Sequence, residues 1–435
     1  MNNACEPFEG KRITVMGLGL LGRGVGDVEF LARCGAKVTV TDKKTAEELA
    51  PSVRKLEAFK NVSFKLGGHD IADFTDSDLV LKAAGVRLDS PEIAAARKAG
   101  IQVAMSTALF AKYAVEKGAT IVGVTGTRGK STVTQMIFHV LQKTQKPAHL
   151  GGNVRGTSTL ALLPEVKKRD ILVLELDSWQ LQGFGDLKIS PHIAVFTNLM
   201  PDHQNYYKDM DEYFADKANI FRFQKSGDSL FVGESIADRV LAWKPPIRAM
   251  TPLQIPDEWQ LKILGEHNRQ NASFAAAALT ALGISQEEIK FGLESFDSVE
   301  GRLQFVREID GVKIYNDNNA TTPEATIAAL EAFPIKHNIN LIMGGADKNL
   351  DMSKLISILD KHCKAVYLLE GTGTERIRKE LLAPVFRSLK EALHAARAAA
   401  VPGDVILFSP AFASFGMFKN EYERNDQFLA LVRAL

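Results

Sequence analysis

The chain has only three cysteines in 435 residues, Cys5, Cys34 and Cys363, scattered and odd in number. Neither a disulfide framework nor a zinc site is expected from them. Long apolar runs are missing: no stretch approaches the roughly 18 residues a membrane span needs, so no membrane insertion is expected. The amino terminus, MNNACEPFEGKR, lacks the basic start and apolar core of a secretion signal. Net charge is nearly absent as well, formally +1. No global field therefore favours nucleic acid or an anionic membrane, and any anion site must be local. These absences together predict a cytoplasmic protein with no nucleic-acid partner.

What is present is the balance of a globular chain, 46% apolar and 24% charged. A length of 435 residues is too great for one core and suggests about three domains. RITVMG (12–17), KVTVTD (37–42), DLVLKA (78–83) and a short run at Ile101 read as strands, with helical spacing between the first two and a helix over 91–100. A second series runs through TIVGVTG (120–126), ILVLELD (171–177), HIAVFTN (192–198) and SLFVG (229–233). The Pro-rich stretch 243–256 is expected to be a surface loop, and 265–282 an Ala-rich helix. A third series begins near Gly301, where LQFVREI and VKIYND flank Asp310-Gly311, a two-residue hairpin signal. NLIMGG, AVYLLEG and DVILFSP follow as strands. Alternation of this kind implies α/β domains on mostly parallel sheets. Boundaries near residues 115 and 299 predict domains 1–115, 116–298 and 299–435.

The most informative segment is Gly126-Thr127-Arg128-Gly129-Lys130-Ser131-Thr132, between a strand and a helical run. Free amides at a helix start, with the helix dipole behind them, cradle phosphate oxygens. Lys130 is placed to reach the β- and γ-phosphates of a nucleoside triphosphate, and Ser131 or Thr132 to sit on Mg²⁺. The strict phosphate-loop spacing fails at its first glycine, where Val124 stands. Glu175 and His203 end or follow neighbouring strands, the edge at which ligands of α/β sheets bind. Glu175 supplies a hard oxygen suited to Mg²⁺. A second glycine pattern, Gly17-Leu-Gly-Leu-Leu-Gly22, follows the first strand, and Asp42 ends the second. That is the dinucleotide fingerprint with its ribose acid, and it points to a nucleotide without saying which.

Seven blocks recur in order along the whole chain: GLGLLG, GTRGKST, LGGN, LELDSWQL, PDHQNYY, GEHNRQN and SPAFASFGMFKNEYERNDQF. In this order and spacing the sequence resembles the Mur ligases, within them the branch that adds D-glutamate. The resemblance implies a Rossmann-like first domain for the UDP moiety and a central ATPase-like domain built around the phosphate loop. It implies a Rossmann-like third domain for the amino acid. By position, Leu20, Asp42 and Lys43 would contact the uridine end, while Asn153 and His203 would hold the muramoyl part. Ser131, Glu175, His203 and Lys217 would serve Mg²⁺, with Lys217 carbamylated by CO₂. Asn268, Asn271, Arg302 and Asp317 would grip ATP, and Thr321, Lys348 and Ser414 the glutamate. Pattern alone makes Lys217 one more solvated helix lysine.

The implied reaction is amide-bond formation in cytoplasmic peptidoglycan precursor synthesis, by an enzyme expected to be a monomer. The carboxylate of UDP-N-acetylmuramoyl-L-alanine attacks the γ-phosphate of ATP, ADP leaves, and the amine of glutamate attacks the acyl phosphate. Lys130, Lys217 and His203 carry the catalytic roles. The chain departs from the family pattern at Asn319, where a lysine is usual, and at Glu421, where an aromatic is usual. It departs also at Arg128, Leu21 and Ala83-Ala84. The first two leave open whether the amino acid is D-glutamate, L-glutamate or another. GLGLLG with Asp42 alone would also suit an NAD-dependent dehydrogenase, and a non-catalytic nucleotide switch is a third reading. Folylpolyglutamate synthase is a relative that the UDP-type first domain disfavours.

Overall fold

β-Branched runs that are apolar on both faces make strands covered on both sides, and three such sheets organise the chain. The computed structural model describes residues 4–435 except 21, 157 and 203–205. The first sheet holds β1 (Arg12–Met16), β2 (Lys37–Asp42), β3 (Val62–Leu66), β4 (Leu79–Lys82) and β5 (Gln102–Ala104). Their order is β3-β2-β1-β4-β5, all parallel. The second holds β6 (Thr120–Thr125), β7 (Ala148–Gly152), β8 (Ile171–Glu175), β9 (Ile193–Phe196), β10 (Ser229–Val232) and β11 (Ala249–Met250). It is also parallel throughout, in the order β11-β10-β9-β6-β8-β7. β6 is thus central, and the phosphate-loop segment leaves its carboxyl end.

The third sheet holds β12 (Gln304–Ile309), β13 (Val312–Asn316), β14 (Ile339–Gly344), β15 (Cys363–Leu369), β16 (Val385–Phe386) and β17 (Val405–Phe408). The order is β12-β13-β17-β14-β15-β16, parallel except for the β12–β13 hairpin. Asp310 (φ 49°) and Gly311 (φ 75°) both take the left-handed conformation at its tip, as a tight two-residue turn requires. The chain therefore has the expected three mostly parallel α/β sheets.

The contacts divide the protein into two compact units: 1–254 with 271–292, and 255–270 with 293–435. The first two sheets share the first unit and one apolar cluster, in which Val28 and Leu31 meet Leu160, Leu163 and Phe184. The chain passes between units within the helix Glu266–Ala281.

Two expectations are corrected. Ala249–Met250 is a short edge strand on β10, not plain loop; two residues are too few for a periodic signal. A disulfide forms between Cys5 and Cys34, with Cα atoms 4.8 Å apart, leaving Cys363 as a buried thiol. Phe8, fully buried between Phe30 and Tyr113, draws the first turn onto the end of the helix Arg23–Arg33, where Cys34 caps it. That proximity is tertiary, and a 29-residue spacing carries no trace of it.

Candidate functional site

The loop after β6 is shaped by the loop after β9. Asn198 accepts the Thr127 amide on its carbonyl (2.9 Å) and the Arg128 amide on Oδ1 (2.8 Å). Thr197 Oγ1 and Asn198 Nδ2 both donate to the Arg128 carbonyl, at 2.6 and 3.2 Å. Each of these bonds to Arg128 uses its backbone, so an arginine there leaves the loop shape unchanged. The glycines are required on either side of it. A Cβ on Gly126 would lie 2.0 Å from Thr197 Oγ1, and one on Gly129 (φ 83°) 2.4 Å from Asn271 Oδ1. Val124 is a fully buried residue of β6, paired with Glu175 and Val195, so the first glycine of the strict pattern is replaced by strand.

Two lysines converge on this loop. Lys130, first residue of the helix Lys130–Lys143, donates to the carbonyls of Gly126 (3.0 Å) and Thr127 (3.1 Å). Lys217, on the helix Met210–Ala218, donates to the same Gly126 carbonyl (2.9 Å) and to Thr125 Oγ1 (3.4 Å). Lys217 is 1% exposed, with its ammonium 4.8 Å from the Tyr213 ring centre. The solvated reading from pattern alone is corrected: the helix face carrying Lys217 is turned inward against β6. Burial, and next the charge of Lys130, push the Lys217 pKa well below the ordinary lysine range. A shift in that direction favours the neutral, nucleophilic form of the amine.

Glu175 closes β8 in register with Val124 and Gly152 and is 7% exposed. Its carbonyl accepts the Asn153 amide (2.8 Å), and a Cβ on Gly152 would lie 2.0 Å from that oxygen. The LGG residues thus run beside β8 as the end of β7, and Asn153 follows them at the end of β8. Ser131 and Thr132 lie in the first turn of the helix after the loop. His203 lies outside the described residues, as does Leu21. Among the described residues no group of three His, Cys, Asp or Glu side chains could hold a metal. The oxygens of Ser131 and Glu175 fit a hard cation such as Mg²⁺, whereas a protonated Lys217 would repel one.

In the first sheet Asp42 turns back on the glycine loop. Its carboxylate accepts the amides of Leu18 (2.9 Å), Gly19 (3.3 Å) and Lys44 (3.0 Å). Leu20 is 49% exposed, and Lys43 is exposed. A cavity of about 270 Å³ opens beside Gly17, Leu20, Asp27, Asp42 and Gln180. Burial pushes the Asp27 carboxyl up to about 6, although it accepts Ser158 Oγ at 2.6 Å. Asn271 belongs to this first unit.

The second unit places its candidates at the carboxyl ends of adjacent strands. Asp317, after β13, accepts the Leu303 amide (3.0 Å) and Ser409 Oγ (2.8 Å). Lys348 donates to Thr321 Oγ1 (3.0 Å), and an Ala346–Ala413 bridge brings the Lys348 segment beside buried Ser414. Asn268 donates to the Leu264 carbonyl (2.7 Å), and Arg302 is half-buried. Asn319 is absorbed into the preceding turn, its amide and Nδ2 donating to Gly301 and Glu300 carbonyls. Glu421 opens the helix Glu421–Ala434, where the helix dipole favours an acid, and its carbonyl accepts Asn318 Nδ2 (3.0 Å). Arg424 is 1% exposed and donates to Asn318 Oδ1, Asn318 O and Phe412 O; burial lowers its guanidinium to about 10. Reasoning from sequence missed Thr197, Asn198 and Arg424. The Thr-Asn pair at the end of a strand was the one available signal for the first two.

Three domain families match in series: Mur ligase MurD-like, N-terminal domain over residues 11–105, Mur ligase middle domain over 124–245, and Mur ligase, glutamate ligase domain over 301–412. The UDP-N-acetylmuramoylalanine–D-glutamate ligase of Roseiflexus sp. is 35% identical across 98% of this chain and 99% of its own. That of Borreliella burgdorferi (strain ZS7) is 33% identical across 97% of both. Among solved structures, UDP-N-acetylmuramate–alanine ligase MurC from Thermotoga maritima aligns with a TM-score of 0.61 at 20% identity, covering 98% and 99%. MurF ligase from the same organism, in complex with ADP, aligns with a TM-score of 0.60 at 16% identity, covering 100% and 98%. These two share the fold. With relatives this similar over its full length, the chain belongs to the Mur ligase family of ATP-dependent amide-bond-forming ligases.

Proposed function

We propose that the protein is a cytoplasmic, monomeric ligase that uses ATP to join D-glutamate to UDP-N-acetylmuramoyl-L-alanine in peptidoglycan precursor synthesis. The observation carrying this reading is the meeting of Lys130 and buried Lys217 on the Gly126 carbonyl, at the end of the central strand of the second sheet. Residues 1–115 bind the UDP moiety through Leu20, Asp42 and Lys43, and residues 299–435 bind glutamate through Thr321, Lys348 and Ser414. Residues 116–298 hold the ATP phosphates on Gly126–Thr132, with Asn268 and Asn271. Arg302 and Asp317 grip the rest of the nucleotide. Asn153 and His203 hold the muramoyl part.

The substrate carboxylate attacks the γ-phosphate, ADP leaves, and the glutamate amine then displaces phosphate from the acyl phosphate. Both steps bring anions together, so positioning and charge neutralisation dominate catalysis. Lys130 swings from its own loop carbonyls to the γ-phosphate. As a neutral amine Lys217 would take up CO₂ with release of a proton, and the carbamate would supply oxygen donors for Mg²⁺ together with Ser131, Glu175 and His203. Mg²⁺ bound there would neutralise phosphate charge. The choice of D-glutamate rests on the relatives of that name; Asn319 is held in its turn by bonds of 2.9 and 3.3 Å, and Glu421 opens a helix.

Phosphate release measured with UDP-N-acetylmuramoyl-L-alanine and a panel of D- and L-amino acids tests the proposal. Release requiring D-glutamate is expected. Release with L-glutamate or another amino acid alone would replace the substrate assignment, and none with any would overturn the reading.

A further inference from the structure

Lys348 lies on the turn that leaves the carboxyl end of β14, ahead of the helix Ser353–His362. β15 pairs with β14, so the chain leaving β15 at Gly371 passes beside this turn. The two backbones touch there: the Gly373 amide donates to the Gly345 carbonyl (2.9 Å), and a Cβ on Gly371 would lie 2.3 Å from that oxygen. Glycine at 371 thus allows the short helix Thr372–Ile377 to stand against the turn.

From that helix Arg376 reaches across to residues 347–350. Its Nε and Nη2 meet the two carboxylate oxygens of Asp347 at 2.8 and 2.9 Å, and Nη2 also donates to the Leu350 carbonyl at 2.7 Å. Thr372 Oγ1 accepts the Asp347 amide at 3.0 Å, and Asp347 Oδ1 accepts the Asn349 amide at 2.9 Å. Asn349 is in the left-handed conformation (φ 56°), which a residue with a side chain keeps where its surroundings hold it. A bidentate guanidinium–carboxylate pair with a further bond to backbone is the geometry in which an ion pair near the surface fixes a loop. Lys348 sits inside this clasp, exposed, with Nζ donating to Thr321 Oγ1 at 3.0 Å. On a loose turn its ammonium would spread over many positions, and ordering the turn removes that entropy before a ligand arrives.

We propose that Arg376 is a positioning residue for the amino-acid site, gripping the 347–350 turn so that Lys348 presents its ammonium beside Thr321 to a carboxylate of the incoming amino acid. The inference rests on the reading that Lys348 and Thr321 hold glutamate. Arg376 is not itself the ligand, because its fork is closed on Asp347 and Leu350. Its effect passes through Lys348. A separation of 29 residues between Arg376 and Asp347 hides the pairing from any local pattern.

Steady-state phosphate release by the full chain, with each substrate varied in turn, tests this. Arg376→Ala should raise KM for D-glutamate about tenfold, with kcat and the KM values for ATP and UDP-N-acetylmuramoyl-L-alanine unchanged. Arg376→Lys, which keeps the charge but not the fork, should raise it roughly threefold. Lys348→Ala should raise the same KM on the order of 100-fold, and adding Arg376→Ala to it should bring no further rise. A general loosening of the domain would instead add to the Lys348→Ala defect and shift KM for ATP as well. If Arg376→Ala fails to fold, Arg376→Lys and Asp347→Asn carry the test, each raising KM for D-glutamate a few-fold. An unchanged KM for D-glutamate in these folded variants, or full additivity with Lys348→Ala, would overturn the inference while leaving Lys348 in the site. An unchanged KM in Lys348→Ala would instead remove the reading of Lys348 as a glutamate ligand, and the inference with it.

Discussion

The chain builds a strand, a glycine turn and a helix twice, and uses the two turns differently. In the first, after β1, the amides of Leu18 and Gly19 are already occupied by the carboxylate of Asp42. In the second, after β6, Thr197 and Asn198 grip the loop at Thr127 and Arg128, and lysines gather at the Gly126 carbonyl. The same local grammar therefore yields a turn closed on a carboxylate in one sheet and a turn that gathers lysines in the other. A helix start is an anion site only in so far as its neighbours leave it one.

Three substitutions break or sharpen that contrast. Lys130→Ala should remove the cation aimed at the transferring phosphate and lower substrate-dependent ADP release by roughly 10³-fold, with an unchanged melting temperature. Near-normal turnover in a steady-state assay would put the phosphate site elsewhere. Lys217→Ala should cost on the order of 100-fold in kcat, with partial recovery on adding acetate or formate. Wild-type rates without any added carboxylate would end the carbamate proposal. Asp42→Asn should act mainly on the first turn, lowering stability by about 1–3 kcal/mol as two loop amides lose a charged acceptor. Thermal unfolding reads the loss, and a variant as stable as the parent would mean that the turn does not depend on its acid.

Much of the fold was legible. The central strands of all three sheets are runs of β-branched residues buried on both faces, so their sequences are nearly continuous in apolar character. Edge strands were harder: Val62–Leu66 alternates between half-buried and exposed, and Ala249–Met250 and Val385–Phe386 have two residues each. The segment Ala148–Gly152 was visible as LGGN but not as a strand, because two glycines mask its β character. Cys5 and Cys34 gave no sign of pairing, since Phe8 and Phe30 bring them together through a tertiary contact.

Local sequence determined the sheets, the hairpin at Asp310-Gly311 and the glycine turns, because period, β-branching and left-handed backbone positions are properties of a few neighbouring residues. The tertiary structure alone decided what those turns could bind. Asp42 lies more than twenty residues from the amides it neutralises, and Thr197 about seventy from the carbonyl it holds. Lys217 is buried, and its pKa is pushed down, only when its helix packs its inward face against β6. Charge and burial at a site are sums over groups distant in the chain, and no window of sequence contains them.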